Sequence, residues 1–165
     1  PFVRDGKTYA TNGHILIELD AIMEGADGKG VNAGHVLGKT FFEDLQPVHL
    51  KIVEPKHDGE CPECRGTGHA HPNCPECGCE CDECDGSGKA IIPVYVALRG
   101  GYFNSKYTNL LARLPGLQMP KECPSDESIP IGFTFDGGRG AIMRVRASGI
   151  AIEGAVPVEM DGADA

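Results

Sequence analysis

Apolar positions along the chain change period several times, and each change marks an element. Ile15, Ile17 and Leu19 alternate behind Asn12-Gly13, while Thr8-Tyr9-Ala10-Thr11 leads into it. This pattern predicts a hairpin whose Asn-Gly turn supplies two positive-φ residues. Residues 20–30 are rich in glycine and acid, have no period and read as a loop. Val36, Leu37, Phe41, Phe42 and Leu45 then fall at helical spacing until Pro47, which predicts a first short helix. Val48, Leu50 and Ile52 alternate as a strand does, and Ala90 to Leu98 forms a second β-rich run with Pro93 suggesting an edge. Tyr107, Leu110, Leu111 and Leu114 predict a second helix, capped by Asn104 or Ser105 and ended by Pro115-Gly116. Ile131, Phe133 and Phe135 alternate, Asp136 to Gly140 turns, and Ala141 to Ala147 returns as a strand. Two short runs, Ile150-Ala151-Ile152 and Val156-Pro157-Val158, precede an acidic tail expected to be disordered.

Strands with two helices make an α+β class. The 165 residues suffice for one domain with a core plus one insert. The expected division is a discontinuous domain over 1–54 and 90–158, an insertion over 55–89, and a tail over 159–165. The 23 glycines and 12 prolines agree with many turns and short elements. No run approaches the roughly 18 apolar residues that span a bilayer, and no basic-then-apolar leader is present, so the expectation is a cytoplasmic protein with no membrane partner. A formal charge of −9 opposes general adhesion to nucleic acid and confines any DNA contact to a local basic face.

Cysteine placement changes the picture most. Seven of the eight cysteines crowd between Cys61 and Cys84, leaving only Cys123 elsewhere. Within that stretch, Cys61-Pro-Glu-Cys64-Arg-Gly66-Thr-Gly68 and Cys81-Asp-Glu-Cys84-Asp-Gly86-Ser-Gly88 are two copies of C-x-x-C-x-G-x-G. Sixteen residues separate Cys64 from Cys81, inside the window for a four-cysteine zinc site. Two residues between cysteines let the backbone fold into a knuckle that aims both sulfurs at one tetrahedral centre. The glycines permit positive φ and bring N–H groups close to the thiolates. Zinc binding on the order of 10–16 kcal/mol can order a segment with almost no apolar core. Four protein ligands leave no open position, which favours a structural role over a catalytic one. The competing readings, two disulfides or a redox C-x-x-C pair, leave the glycines unexplained. A second ion could use Cys74, Cys77 and Cys79 with His69 or His71. Placed between two strands, the module reads as a hairpin whose tip has lengthened into a metal knuckle.

The repeat resembles the cysteine-rich region of DnaJ-type co-chaperones, in which paired C-x-x-C-x-G-x-G motifs form a zinc-bound hairpin. The resemblance covers Cys61 to Gly88, with two complete motifs where that family has four. Outside the insert, Tyr9-Ala-Thr-Asn-Gly-His14-Ile-Leu-Ile17 resembles the Ala-Thr-Asp-Gly-His strand-turn-strand of bacterial DNA polymerase III sliding clamps, with Asn12 in place of Asp. The His35 to Leu45 stretch stands where a clamp helix would. Phe103 to Leu114 is similar to the clamp helix that opens with Asn and a Lys-Tyr-like pair, and Ala141-Ile-Met-Arg144-Val-Arg146 to the closing strand. Over residues 8–53 and 90–146 this implies a small clamp-like domain of antiparallel sheet with two helices that, in the family, face DNA.

On that resemblance Lys39, Lys106, Arg113, Arg139, Arg144 and Arg146 are the candidate phosphate contacts, with Arg144 and Arg146 on one strand face. The plain alternative is a set of solvated surface charges. No nucleophile sits near a His-acid pair, and no phosphate-cradling glycine loop or open-site metal motif occurs. The expectation is therefore a non-enzymatic, zinc-binding interaction protein around DNA replication or its regulation in a bacterium or phage. Its partners would be a protein, duplex DNA or a second copy of itself, with no small-molecule substrate. The rival expectations are a polypeptide-binding adaptor that works through the zinc hairpin and an enzyme assembled across subunits around a second zinc.

Overall fold

The alternation that begins at Ile15 sorts side chains to two faces of one sheet, and both faces are covered. In the computed structural model, residues 1–26, 30, 32–70, 78–146 and 155–159 are described. The elements are β1 (Phe2–Arg4), β2 (Lys7–Thr11), β3 (Ile15–Leu19), α1 (Ala33–Gly38), β4 (Leu45–Pro47), β5 (Lys56–Glu60), β6 (Lys89–Ile92), β7 (Tyr95–Leu98), β8 (Gly101–Asn104), α2 (Ser105–Leu111), β9 (Gln118–Pro120), β10 (Ile131–Phe135), β11 (Gly138–Ile142) and β12 (Val156–Pro157). The chain divides into two compact units, Pro1–Val53 with Tyr95–Ala165, and Glu54–Val94.

The first unit is built on a seven-stranded sheet in the order β1-β2-β3-β11-β10-β9-β4, with antiparallel neighbours, and a three-stranded sheet in the order β12-β7-β8. Ile15, Ile131, Phe133 and Ile142 of the large sheet pack in one cluster with Val96, Leu98 and Phe103 of the small sheet and Leu111 of α2. From the opposite face Leu16 and Ala141 join Phe2, Tyr9 and the α1 residues Ala33 and Leu37. Each such side chain contributes about 1.5–3 kcal/mol by leaving water, which is why adjacent residues such as Ile15 and Leu16 are both apolar where both faces are covered. The described residues are thus α+β, mostly antiparallel sheet with two helices.

The predicted hairpin forms, pairing Thr8 with Leu19 and Thr11 with Leu16, but its turn works differently. Gly13 alone has positive φ, at 88°; Asn12 instead accepts bonds from the His14 and Ile15 N–H groups through its side-chain oxygen. An Asx turn does here what a second left-handed residue would do.

The first helix is shorter than predicted. α1 ends at Gly38, the Thr40 hydroxyl donates back to the Val36 carbonyl, and Phe41 then pairs with Ile131 through Phe41 N–H to Pro130 O and Gly132 N–H to Phe41 O. Backbone pairing with the sheet replaces helical bonds, and Asp44 at φ 47° makes the break complete. Phe41, Phe42 and Leu45 are therefore not helical. α2 is capped by the Asn104 side chain as predicted, yet its buried residues are Ser105, Thr108 and Leu111, and Leu110 is exposed. The helix enters directly from β8, which fixes its rotation by Ser105 rather than by the leucine stripe.

Val48 and Leu50 are buried without forming the predicted strand: Val48 N–H bonds Leu117 O and Lys51 N–H bonds Val158 O as single contacts. The Ala90–Leu98 run splits into β6 and β7, because Pro93 has no N–H to continue a ladder. β11 starts at Gly138 and ends at Ile142, earlier than the predicted Ala141–Ala147. The run at 150–152 and the tail at 160–165 lie outside the described residues.

Candidate metal centre

Among its described residues the second unit has no apolar core in the ordinary sense. β5 and β6 pair antiparallel, Lys56 with Ile92 and Glu60 with Lys89, and all five residues of β5 are exposed. The buried cluster consists of Cys61, Cys64, Cys81 and Cys84, at 0 to 2% exposure. Their sulfurs all lie within 4.8 Å of one another, with 4.0 Å between Cys61 Sγ and Cys81 Sγ and 3.7 Å between Cys64 Sγ and Cys84 Sγ. Thiolates at about 2.3 Å from a tetrahedral zinc stand about 3.8 Å apart, whereas a disulfide needs about 2.05 Å. The set fits one metal ion such as zinc and does not form disulfides.

The two motifs build this cage as a pseudo-twofold pair. Arg65 and Asp85 take left-handed backbone at φ 51° and 49°, turning each knuckle. Gly68 N–H then points to Cys64 Sγ and Gly88 N–H to Cys84 Sγ, both at 3.3 Å. Such donors stabilise sulfur charge. The halves interlock through Cys61 N–H to Gly88 O at 3.0 Å and Cys81 N–H to Gly68 O at 2.8 Å. A β-carbon on Gly68 would stand 2.3 Å from the Gly86 carbonyl oxygen, and one on Gly88 would stand 2.4 Å from Gly66 O. The last glycine of each motif is required by its twin.

Burial is the largest influence on Cys64, Cys81 and Cys84 and opposes ionisation; it pushes Cys81 up to about 12 and raises Cys84 as well. In Cys64 that penalty is outweighed by the Gly68 N–H and the other three thiols, taking it down to about 7. A dication would displace the thiol protons and stabilise all four thiolates.

Two positions missed at the sequence level extend the repeat. Glu60 and Glu80 precede the paired motifs and pack over the open faces of Gly66 and Gly86, their carbons 3.2 Å from where a β-carbon would be. Thr67 and Ser87 accept from the N–H two residues on, at 3.3 and 3.2 Å. The unit is E-C-x-x-C-x-G-[ST]-G, and the matching offsets of Glu60 and Glu80 were a readable signal. Of the second candidate set, His71, Cys74 and Cys77 lie outside the described residues, His69 makes one bridge to Glu80, and Cys79 is exposed.

The basic candidates separate into three kinds. Lys39, Lys106, Arg113 and Arg146 are exposed. Arg139 bonds Glu18 at 2.8 Å and lies over the Phe42 ring at 5.8 Å. Arg144 requires correction: it is 8% exposed, past the end of β11, and its guanidinium donates to the Pro124 and Asp126 carbonyls, so it ties a loop down and shares no strand face with Arg146. Glu18 itself is 3% exposed on the α1 face of the sheet, and Lys7 at 2.7 Å joins Arg139 in compensating it. Burial alone would raise its carboxyl, but the bonds from Lys7, Arg139 and Tyr9 outweigh it and hold the carboxyl below its ordinary value.

Comparison with protein-family models, curated proteins and solved structures gave no match. No helix among the described residues is long and apolar enough to cross a membrane.

Proposed function

We propose that this is a non-enzymatic interaction protein in which a clamp-like α+β domain carries a zinc-stabilised hairpin, acting around DNA replication or its regulation in the cytoplasm of a bacterium or phage. The observation that carries the reading is the four-sulfur cage: four buried thiols at tetrahedral separations leave no coordination position for water or substrate, so the metal serves structure. The module it orders then serves recognition.

Charge divides the work. Residues 54–94 hold nine acidic and three basic residues, and zinc with four thiolates makes the module two units more negative. Such a surface repels phosphate, so contact with DNA falls to Lys39, Lys106, Arg113 and Arg146 of the other unit. Elemental analysis of reduced protein tests the metal, with one zinc per chain expected. Cobalt loading should give the visible d–d bands of a tetrahedral site together with near-ultraviolet thiolate charge-transfer bands. Binding to duplex DNA, measured against salt, tests the rest: each of those four side chains changed to alanine should lower the salt slope by about one. No binding even at low salt removes the DNA role.

A polypeptide-binding adaptor is the second reading, favoured by the compactness of Glu54–Val94 as a unit and by the full exposure of β5. Pull-downs with intact protein and with Cys81→Ser distinguish the two, because an adaptor loses every partner with its metal while a clamp-like protein keeps those of the other unit.

A further inference from the structure

The last described segment, Ala155 to Glu159, is held in a slot and not merely laid on the surface. β12 runs parallel to β7, pairing Val156 with Val96 and Pro157 with Ala97. On its other side Lys51 N–H donates to Val158 O at 3.0 Å and Leu50 bridges Glu159. Val158, at 0% exposure, fills the core end of the slot. Next to it the Glu159 carboxylate accepts from Arg99 Nε at 3.0 Å and Nη2 at 2.6 Å.

Arg99 is built for this place. Its backbone is left-handed at φ 49°, its side chain is 9% exposed, and its guanidinium also donates to the Met119, Pro120 and Pro47 carbonyls at 3.0 to 3.1 Å. Three carbonyls therefore fix a nearly buried cation beside the Glu159 carboxylate. An unpaired buried cation is costly, so the slot demands a carboxylate. The occupant's main-chain hold is short: its ladder is two residues long, and Pro157 offers no N–H to either neighbour.

From this we infer that the slot between β7 and Leu50–Lys51 is a recognition groove for an extended peptide bearing an aliphatic residue followed directly by a carboxylate. Residues 155–159 fill it in cis. Main-chain pairing supplies adhesion, the Val158 hole and the Arg99 cation supply selectivity, and the chain's own segment acts as a competitive guard. A partner carrying the same two-residue signature would displace it.

The test uses the full chain and a fluorescent amidated peptide, Ala-Val-Pro-Val-Glu, followed by anisotropy. A guard that occupies the groove most of the time lowers apparent affinity by the fraction of time the groove is open. The full-length Val158→Ala/Glu159→Ala protein should bind at least about tenfold tighter than the parent, and replacing the peptide's Glu by Gln should remove that gain. A folded double variant that binds no peptide, or binds the Gln peptide equally well, overturns the inference. Should the double variant lose its fold, Glu159→Ala alone decides: tighter peptide binding supports the groove, and binding equal to the parent refutes it. A concentration-dependent dimer with exchanged tails, in place of peptide capture, also refutes it.

Discussion

A single methyl group on Gly68 probes the cage more sharply than removal of a ligand. Gly68 has φ +75°, so Ala there bears the strain of a left-handed L-residue, about 1–2 kcal/mol. Gly66, at φ +78°, bears the same strain, but its β-carbon would meet only Glu60 Cγ at 3.2 Å, and that side chain can swing away. At Gly68 the obstacle is the Gly86 carbonyl oxygen at 2.3 Å, part of the twin knuckle's backbone, which adds about 1–3 kcal/mol of overpacking. Because a segment without an apolar core folds as it binds metal, these costs appear in the apparent zinc affinity. Gly66→Ala should weaken zinc binding by about 5- to 30-fold, and Gly68→Ala by about one and a half to three and a half decades, at 1.4 kcal/mol per decade. Gly88→Ala, whose β-carbon would stand 2.4 Å from Gly66 O, should match Gly68→Ala. Gly59→Ala, with φ +67° and open space around it, should behave like Gly66→Ala. Competition with a chromophoric chelator under reducing conditions reads all four. If Gly68→Ala and Gly66→Ala are equal, the interlock of the two halves is wrong.

Chelation should abolish amide protection across the described residues of 54–94 while leaving β3, β10 and β11 protected, since those strands have their own apolar clusters; hydrogen exchange would show it, and collapse of both units together would contradict separate cores. Metal uptake displaces thiol protons, so apparent zinc affinity should rise by more than one decade per pH unit between about pH 6 and pH 8, as chelator competition at several pH values would reveal. Glu18→Gln should cost about 1–3 kcal/mol in denaturant melts near neutral pH by leaving Lys7 and Arg139 without their carboxylate. The Glu18 carboxyl is lowered in the folded state, so this contribution is complete above the unfolded carboxylate range and fades as pH falls through the folded value; parent and variant should converge in acid.

Chemistry whose physics is local could be read from the order of residues. Two residues between cysteines fix a knuckle, the glycines after it permit the positive φ its turn needs, and repetition announces the pairing partner. The four candidate metal cysteines, the hairpin at Asn12-Gly13, a cap at Asn104 or Ser105 and the α+β class were all legible in such patterns. Tertiary structure decided whatever depended on which neighbour competes for a group. Phe41 has helical spacing but gives its backbone to Ile131, because sheet pairing satisfies it better than a helix ending at Gly38. Arg144 has the letters of a surface cation, yet two carbonyls of a distant loop claim it. Arg99, unremarked among the other charges, becomes the cation of a slot only when β7, β9, residue 47 and Glu159 converge on it. Periodicity reports that a side chain is buried; only the folded neighbours settle what buries it.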